Sequence, residues 1–310
     1  MRLTPSPSIR QIRIAYLATA FGGLLFSFDL PLLRLSLADP WTMVFARGVF
    51  LFLAISAVWV LARNRGEFSP FIAGKPGLIV ALTSTIGNIA YISAIVQTNA
   101  ANVVFIIALT PVIAAVMSRA ILRERVHAFT WLATVLAFTG VGIIAWDGIL
   151  TAQPWGSVLA LISAFCSATA FTVVRATGRK VATSLAVGNL SSALIALVFF
   201  GVSFPSLLLD GAYGIPAWTW LALNGLVAIP LATVLLARGP RYIPTTDASM
   251  FFLLETVLTP VWMLLMFNEV PRDAVLTGGI IVISTLIAHS WWRWGLVART
   301  GHASAIPQDT

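Results

Sequence analysis

The chain has 310 residues, 59% of them hydrophobic and only 10% charged, with a mean hydropathy of +0.94. Soluble domains carry about 25% charged residues, so a water-soluble globular fold is excluded and lipid is the solvent for most of this surface. The net charge of +8 comes from basic residues spread through short connections rather than gathered into one stripe, which argues against nucleic acid as a partner.

A span needs roughly 20 apolar residues to cross about 30 Å of hydrocarbon. Windows of that kind predict an all-α integral membrane fold of ten transmembrane helices, near 12–33, 40–62, 75–97, 100–121, 128–147, 154–175, 183–203, 216–238, 246–267 and 272–294. Arg2, Arg10 and Arg13 precede the apolar run from Ile14 to Leu33, as in a signal peptide. That run is long enough to span, and is read as an uncleaved first helix. Helices three and four are separated only by Gln97, Thr98 and Asn99, and helix seven ends at Pro205.

With the N-terminus inside, most basic residues fall on cytoplasmic connections, which puts both termini in the cytoplasm. Arg34, Arg47 and Arg272 are the exceptions. Most tryptophans fall near helix ends, as interfacial anchors do, and Trp262 lies well inside helix nine.

An ionisable side chain at membrane depth costs at least about 2.5–3.5 kcal/mol on insertion scales, so one that persists is a functional candidate. Asp29 lies about a turn from the outer end of helix one, and Arg47 lies at similar depth in helix two. They form a gate, a charged substrate anchor, or a buried pair that fixes packing. Gly22 and Phe26 share the Asp29 face. In helix three, Ser84, Gly87, Asn88 and Tyr91 recur at helical spacing on one small, polar face that lines a cavity or permits close packing.

Helix four offers Asn102, Phe105, Thr110 and Pro111, and helix six offers Ser163, Ser167 and Phe171. Helix eight adds Asn224, and helix nine adds Phe251, Glu255 and Pro260. Glu255 falls near the bilayer midplane, one turn before Thr259-Pro260. A carboxyl there suits reversible protonation in a proton-coupled cycle, or else a neutral hydrogen bond between helices. Thr245, Thr246 and Asp247 read as N-capping residues of helix nine. Pro111 and Pro260 each free one backbone carbonyl and serve as a substrate contact, a hinge or a static kink.

No phosphate-binding loop is present, which argues against ATP hydrolysis. His127, His289 and His302 lack metal-ligand spacing, the single Cys166 permits no intramolecular disulfide, and no cofactor is expected. The Asn189-Leu190-Ser191 sequon falls inside helix seven and should be unavailable for glycosylation.

Thr110-Pro111-Val112 in helix four returns as Thr259-Pro260-Val261 in helix nine. The chain then divides into 1–147 and 148–295, five helices each, with a disordered tail over 296–310. An odd number per half inverts the second half in the membrane.

These stretches, with Trp41 to Arg47, Thr139-Gly140-Val141-Gly142 and Trp155-Gly156-Ser157 through Arg175, resemble the ten-helix, EamA-type branch of the drug/metabolite transporter superfamily. Pro260 lies nine positions before Glu269, whereas Pro111 lies thirteen before Glu124, so the symmetry is inexact there. The resemblance implies a central cavity lined mainly by helices one, three, four, six, eight and nine, working by alternating access. Similar bacterial proteins export amino acids and related metabolites across the inner membrane. The expected partners are a small-molecule substrate and the lipid bilayer, with protons as the coupling ion if Glu255 titrates in the cycle, and two repeats in one chain could form the complete pathway as a monomer. An intramembrane enzyme acting on a lipid-linked substrate is the rival. It would need His, Asp or Cys residues clustered near one interface, which the sequence lacks.

Overall fold

The computed structural model describes residues 9–64, 74–122, 154–177, 181–208, 211–238 and 252–300, with Ile72 and scattered positions between 129 and 146. Helices α1 (Ile9–Phe26) and α2 (Asp29–Leu35) together make the first span. They are followed by α3 (Pro40–Asn64), α4 (Gly74–Gln97), α5 (Ala100–Ile107) and α6 (Thr110–Leu122). Then come α7 (Pro154–Thr177), α8 (Ala182–Ile195), the short α9 (Phe204–Leu208), α10 (Ala217–Ala222), α11 (Ile229–Arg238), α12 (Phe252–Phe267) and α13 (Asp273–Thr300).

There is no β-strand among the described residues, as a chain without water to satisfy open backbone requires. Among the described residues seven stretches are long and apolar enough to cross a membrane, and Leu258–Phe267 and Asp273–Thr285 are shorter apolar helices. Most of the fifth expected helix, the start of the ninth with Asp247 and Phe251, and the tail beyond Thr300 lie outside the described residues. Helix α13 runs to Thr300, six residues past its expected end at 294.

Proline explains where the spans break. It lacks an N–H and crowds the carbonyl four residues earlier. In the first span Pro31 releases the Ser27 carbonyl, and the helix interrupts at Ser27-Phe28. Thr259 of α12 donates its hydroxyl to that carbonyl at 3.1 Å, and Trp262 donates its indole N–H to Ser27 Oγ at 3.1 Å. In the fourth, Pro111 releases the Ile107 carbonyl, which accepts the Thr110 hydroxyl at 2.7 Å, and the span divides between α5 and α6. In the span Ala217–Leu236, Leu223–Ala228 winds into a π-helix directly before Ile229-Pro230. Pro260 sits inside α12.

Close approach of backbones sets the packing. Gly188 of α8 lies against the Ala81 carbonyl and Ser84 of α4, and Gly48 of α3 lies against the Asn189 carbonyl of α8. A Cβ at either position would strike a neighbouring carbonyl oxygen. Helix α8 is therefore clasped between α3 and α4 in the manner of small-residue membrane interfaces. Gly22 of α1 meets Leu235, Leu236 and the Ala232 carbonyl of α11 in the same way. The main core gathers Leu30, Leu33, Val44, Ile92, Ile95, Leu109, Ala164 and Leu221 from both halves of the chain.

Candidate functional site

The prolyl break at Ser27-Phe28 starts α2 at Asp29, a carboxylate 1% exposed inside the bundle. Its Oδ2 accepts from Arg47 Nη2 at 2.8 Å. Its Oδ1 accepts from Asn224 Nδ2 at 2.7 Å, and the same amide donates to the Asp29 carbonyl at 3.1 Å. Asn224 reaches this point from the π-helix, a local rewinding common at functional sites. Arg47, 8% exposed, donates from Nη1 to Asn88 Oδ1 at 3.2 Å and lies 5.0 Å over the Tyr91 ring. Asn88 then donates to Ser192 Oγ at 2.8 Å, and Ser192 to the Asn189 carbonyl at 2.6 Å.

Glu255 of α12, 6% exposed, lies within electrostatic reach of Asp29, Arg47 and Tyr91. The cluster thus joins α2, α3 and α4 to α8, the π-helix and α12. It holds two carboxyl groups and one guanidinium in a setting where desolvation of charge is costly. Such a pair is weak evidence for stability, because its attraction barely repays the desolvation. It is better evidence that the charges serve a purpose.

The other predicted residues divide between the cluster's margin and ordinary packing. Ser163 Oγ donates to the Gly87 carbonyl at 3.1 Å, tying α7 to the polar face of α4. Ser84 and Ser167 are half-buried. Asn102 donates to Thr98 Oγ1 at 3.2 Å. Phe26, half-buried, packs against Leu51, Ile55, Ala186 and Ile229, and the buried Phe105 packs on Gly279 and Val275. Gly22 is a packing contact. Phe171 is 45% exposed and is not brought into the cluster. The carbonyl released by Pro111 is already taken by Thr110. The Pro111 side chain lies outside the described residues.

A second polar layer lies at the far end of the first span. Arg34 donates to the Ile95 and Thr98 carbonyls at 2.9 and 3.3 Å, where α4 ends, and faces Glu269 at 3.9 Å. Glu269 accepts from the Ala100 N–H at 3.2 Å, where α5 begins. Cation and anion each sit at the helix end whose dipole favours them. Sequence reasoning left Arg34 unassigned and missed Ser192, although Asn189 and Ser192 at three-residue spacing form a polar stripe. No group of three His, Cys, Asp or Glu residues fit to hold a metal occurs among the described residues.

The sequence profile described as the EamA-like transporter family matches residues 13–146 and again 154–290. A Synechocystis protein named as an uncharacterized transporter is 25% identical over 207 residues, 62% of this chain and 58% of that protein. The match therefore spans little more than half the length of this curated relative. A crystal structure shares the fold at a TM-score of 0.62, with 15% identity over 90% of this chain and 98% of its own.

Proposed function

The chain belongs to the EamA-like transporter family, a multi-pass membrane protein on that ground and on its apolar spans, and we propose that it exports amino acids or related small metabolites across the inner membrane by alternating access. Two inverted five-helix repeats, 1–147 and 148–295, enclose the path, and one chain suffices for it. Asp29 and Arg47 anchor the substrate or gate its path, and Glu255 exchanges a proton with each cycle. The observation that carries this reading is the buried charge cluster, in which Asp29, Arg47 and Asn88 of the first half meet Asn224, Ser192 and Glu255 of the second. Polar groups at the junction of two repeats, beside broken helices, are where transporters bind substrate.

The test is uptake of labelled amino acids into proteoliposomes with and without an imposed pH gradient, for the wild type and Glu255→Gln. Saturable uptake that follows the gradient, and stops following it in the variant, supports the reading. Gradient-independent uptake would leave a facilitative carrier. No uptake of amino acids, together with uptake of nucleosides, sugar phosphates or cationic drugs, would overturn the substrate assignment.

A further inference from the structure

Three atoms of the cluster are fully buried yet make no hydrogen bond among the described residues: Arg47 Nε, the Tyr91 hydroxyl and Asn224 Oδ1. They belong to residues grouped around one carboxylate. Arg47 and Asn224 both bond Asp29, and the Arg47 guanidinium lies 5.0 Å over the ring of Tyr91. A buried polar atom without a partner costs about 1–3 kcal/mol, and a fold retains few of them unless they are used. Here a cationic N–H, a hydroxyl and an amide carbonyl are left over, while Arg47 Nη1 and Nη2 are spent on Asn88 and Asp29 and Asn224 Nδ2 is spent on Asp29.

We infer that these atoms, with Glu255, recognise the head group of an α-amino acid, a carboxylate with a protonated amine on the neighbouring carbon. The carboxylate accepts from Arg47 Nε and the Tyr91 hydroxyl, and the ammonium donates to Asn224 Oδ1 and the Glu255 carboxylate. Donor and acceptor types match on both sides. A zwitterion also brings no net charge into a buried site, where adding one would be expensive. A monoanion lacks a donor for Asn224 Oδ1, and a simple amine leaves Arg47 Nε and Tyr91 unsatisfied. The assignment rests on the transport reading above and adds the atoms that read the substrate.

Tyr91→Phe isolates the claim. It keeps the ring under the Arg47 guanidinium and removes a hydroxyl that holds no well-made bond, so a purely structural role predicts an unchanged or raised melting temperature and unchanged ligand affinity. The measurement is ligand-induced thermal shift of the purified full-length protein against each of the twenty standard L-amino acids. The strongest binder is then compared with its methyl ester, which lacks the carboxylate, and its N-acetyl derivative, which lacks the ammonium.

We expect Tyr91→Phe to melt no lower than wild type, to bind the free amino acid at least about tenfold more weakly, and to lose nothing further toward the ester. Wild type should reject both derivatives. Amino acids that bind and are transported, with the ester or the N-acetyl form equally good or Tyr91→Phe unaffected, would overturn the assignment and leave the transport reading standing. Failure of every amino acid to bind, with another solute transported, would overturn both. Should the variant fold poorly, the ester and N-acetyl series on wild type decides the question alone.

Discussion

Asp29→Ala removes one member of an ion pair whose remaining partner, Arg47, is 8% exposed and cannot move its charge to water without dismantling α3 packing. Breaking a buried pair in this way costs about 3–5 kcal/mol, most of it the burden of the orphaned charge. Asn224 loses its 2.7 Å acceptor at the same time. At roughly 2 °C per kcal/mol for a chain of this size, the melting temperature falls by about 6–10 °C. The chain has eleven tryptophans, so intrinsic fluorescence on heating in detergent follows the transition without a label. Asp29→Ala/Arg47→Met removes both charges, and apolar replacement of a whole buried pair is commonly neutral or favourable. The double variant should therefore recover most of the loss. A single variant that melts within about 2 °C of wild type, or a double variant as unstable as the sum of the two singles, would refute the view that the pair is buried and mutually compensated.

Other consequences are open to similar checks. Thr259→Val leaves the Ser27 carbonyl, released by Pro31, without its hydroxyl donor; the expected loss is about 1–3 kcal/mol, with Thr259→Ser close to wild type in the same melt. Gly188→Ala drives a methyl into the Ala81 carbonyl, so α8 must separate from α4, costing about 1–3 kcal/mol or more and lowering the yield of monodisperse protein on gel filtration. Gly142→Ala is the control, since a Cβ there meets nothing within 4 Å among the described residues, and it should melt no lower. Arg34→Ala loses two partly buried bonds to the end of α4 and a long 3.9 Å contact with Glu269. With both side chains a quarter to a third exposed, screening holds the ionic part below about 1 kcal/mol, and raised salt should narrow the difference from wild type.

The helical, membrane-spanning character was legible because hydropathy alone demands it, and most span ends coincide with charge, Pro or Gly. Asp29, Arg47, Asn88, Tyr91, Asn224 and Glu255 could be picked out because each is polar at a depth where polarity is costly. Their mutual arrangement could not, since it depends on helix breaks with a weak sequence signal. Pro31 and Pro230 carry the same mechanism as Pro111 and Pro260 but stand near apolar windows that read as continuous, so the Ser27 joint and the π-helix that aims Asn224 stayed hidden. Phe26, Phe105 and Gly22 were ambiguous for the opposite reason. Aromatic and small residues serve packing and cavity walls equally well, and only the neighbour across the interface tells which. Arg34 read as an exception to the charge bias across the membrane because its role, at the ends of α4 and α5, comes from tertiary contact.

In the proposed mechanism a small solute passes through the buried cluster. Counterflow in proteoliposomes tests it most directly, with vesicles loaded with unlabelled amino acid and trace label outside, for wild type and Arg47→Ala/Asp29→Ala. Passage through the cluster gives transient accumulation of label by wild type and none by the folded double variant. Equal accumulation by both would show that the solute passes elsewhere.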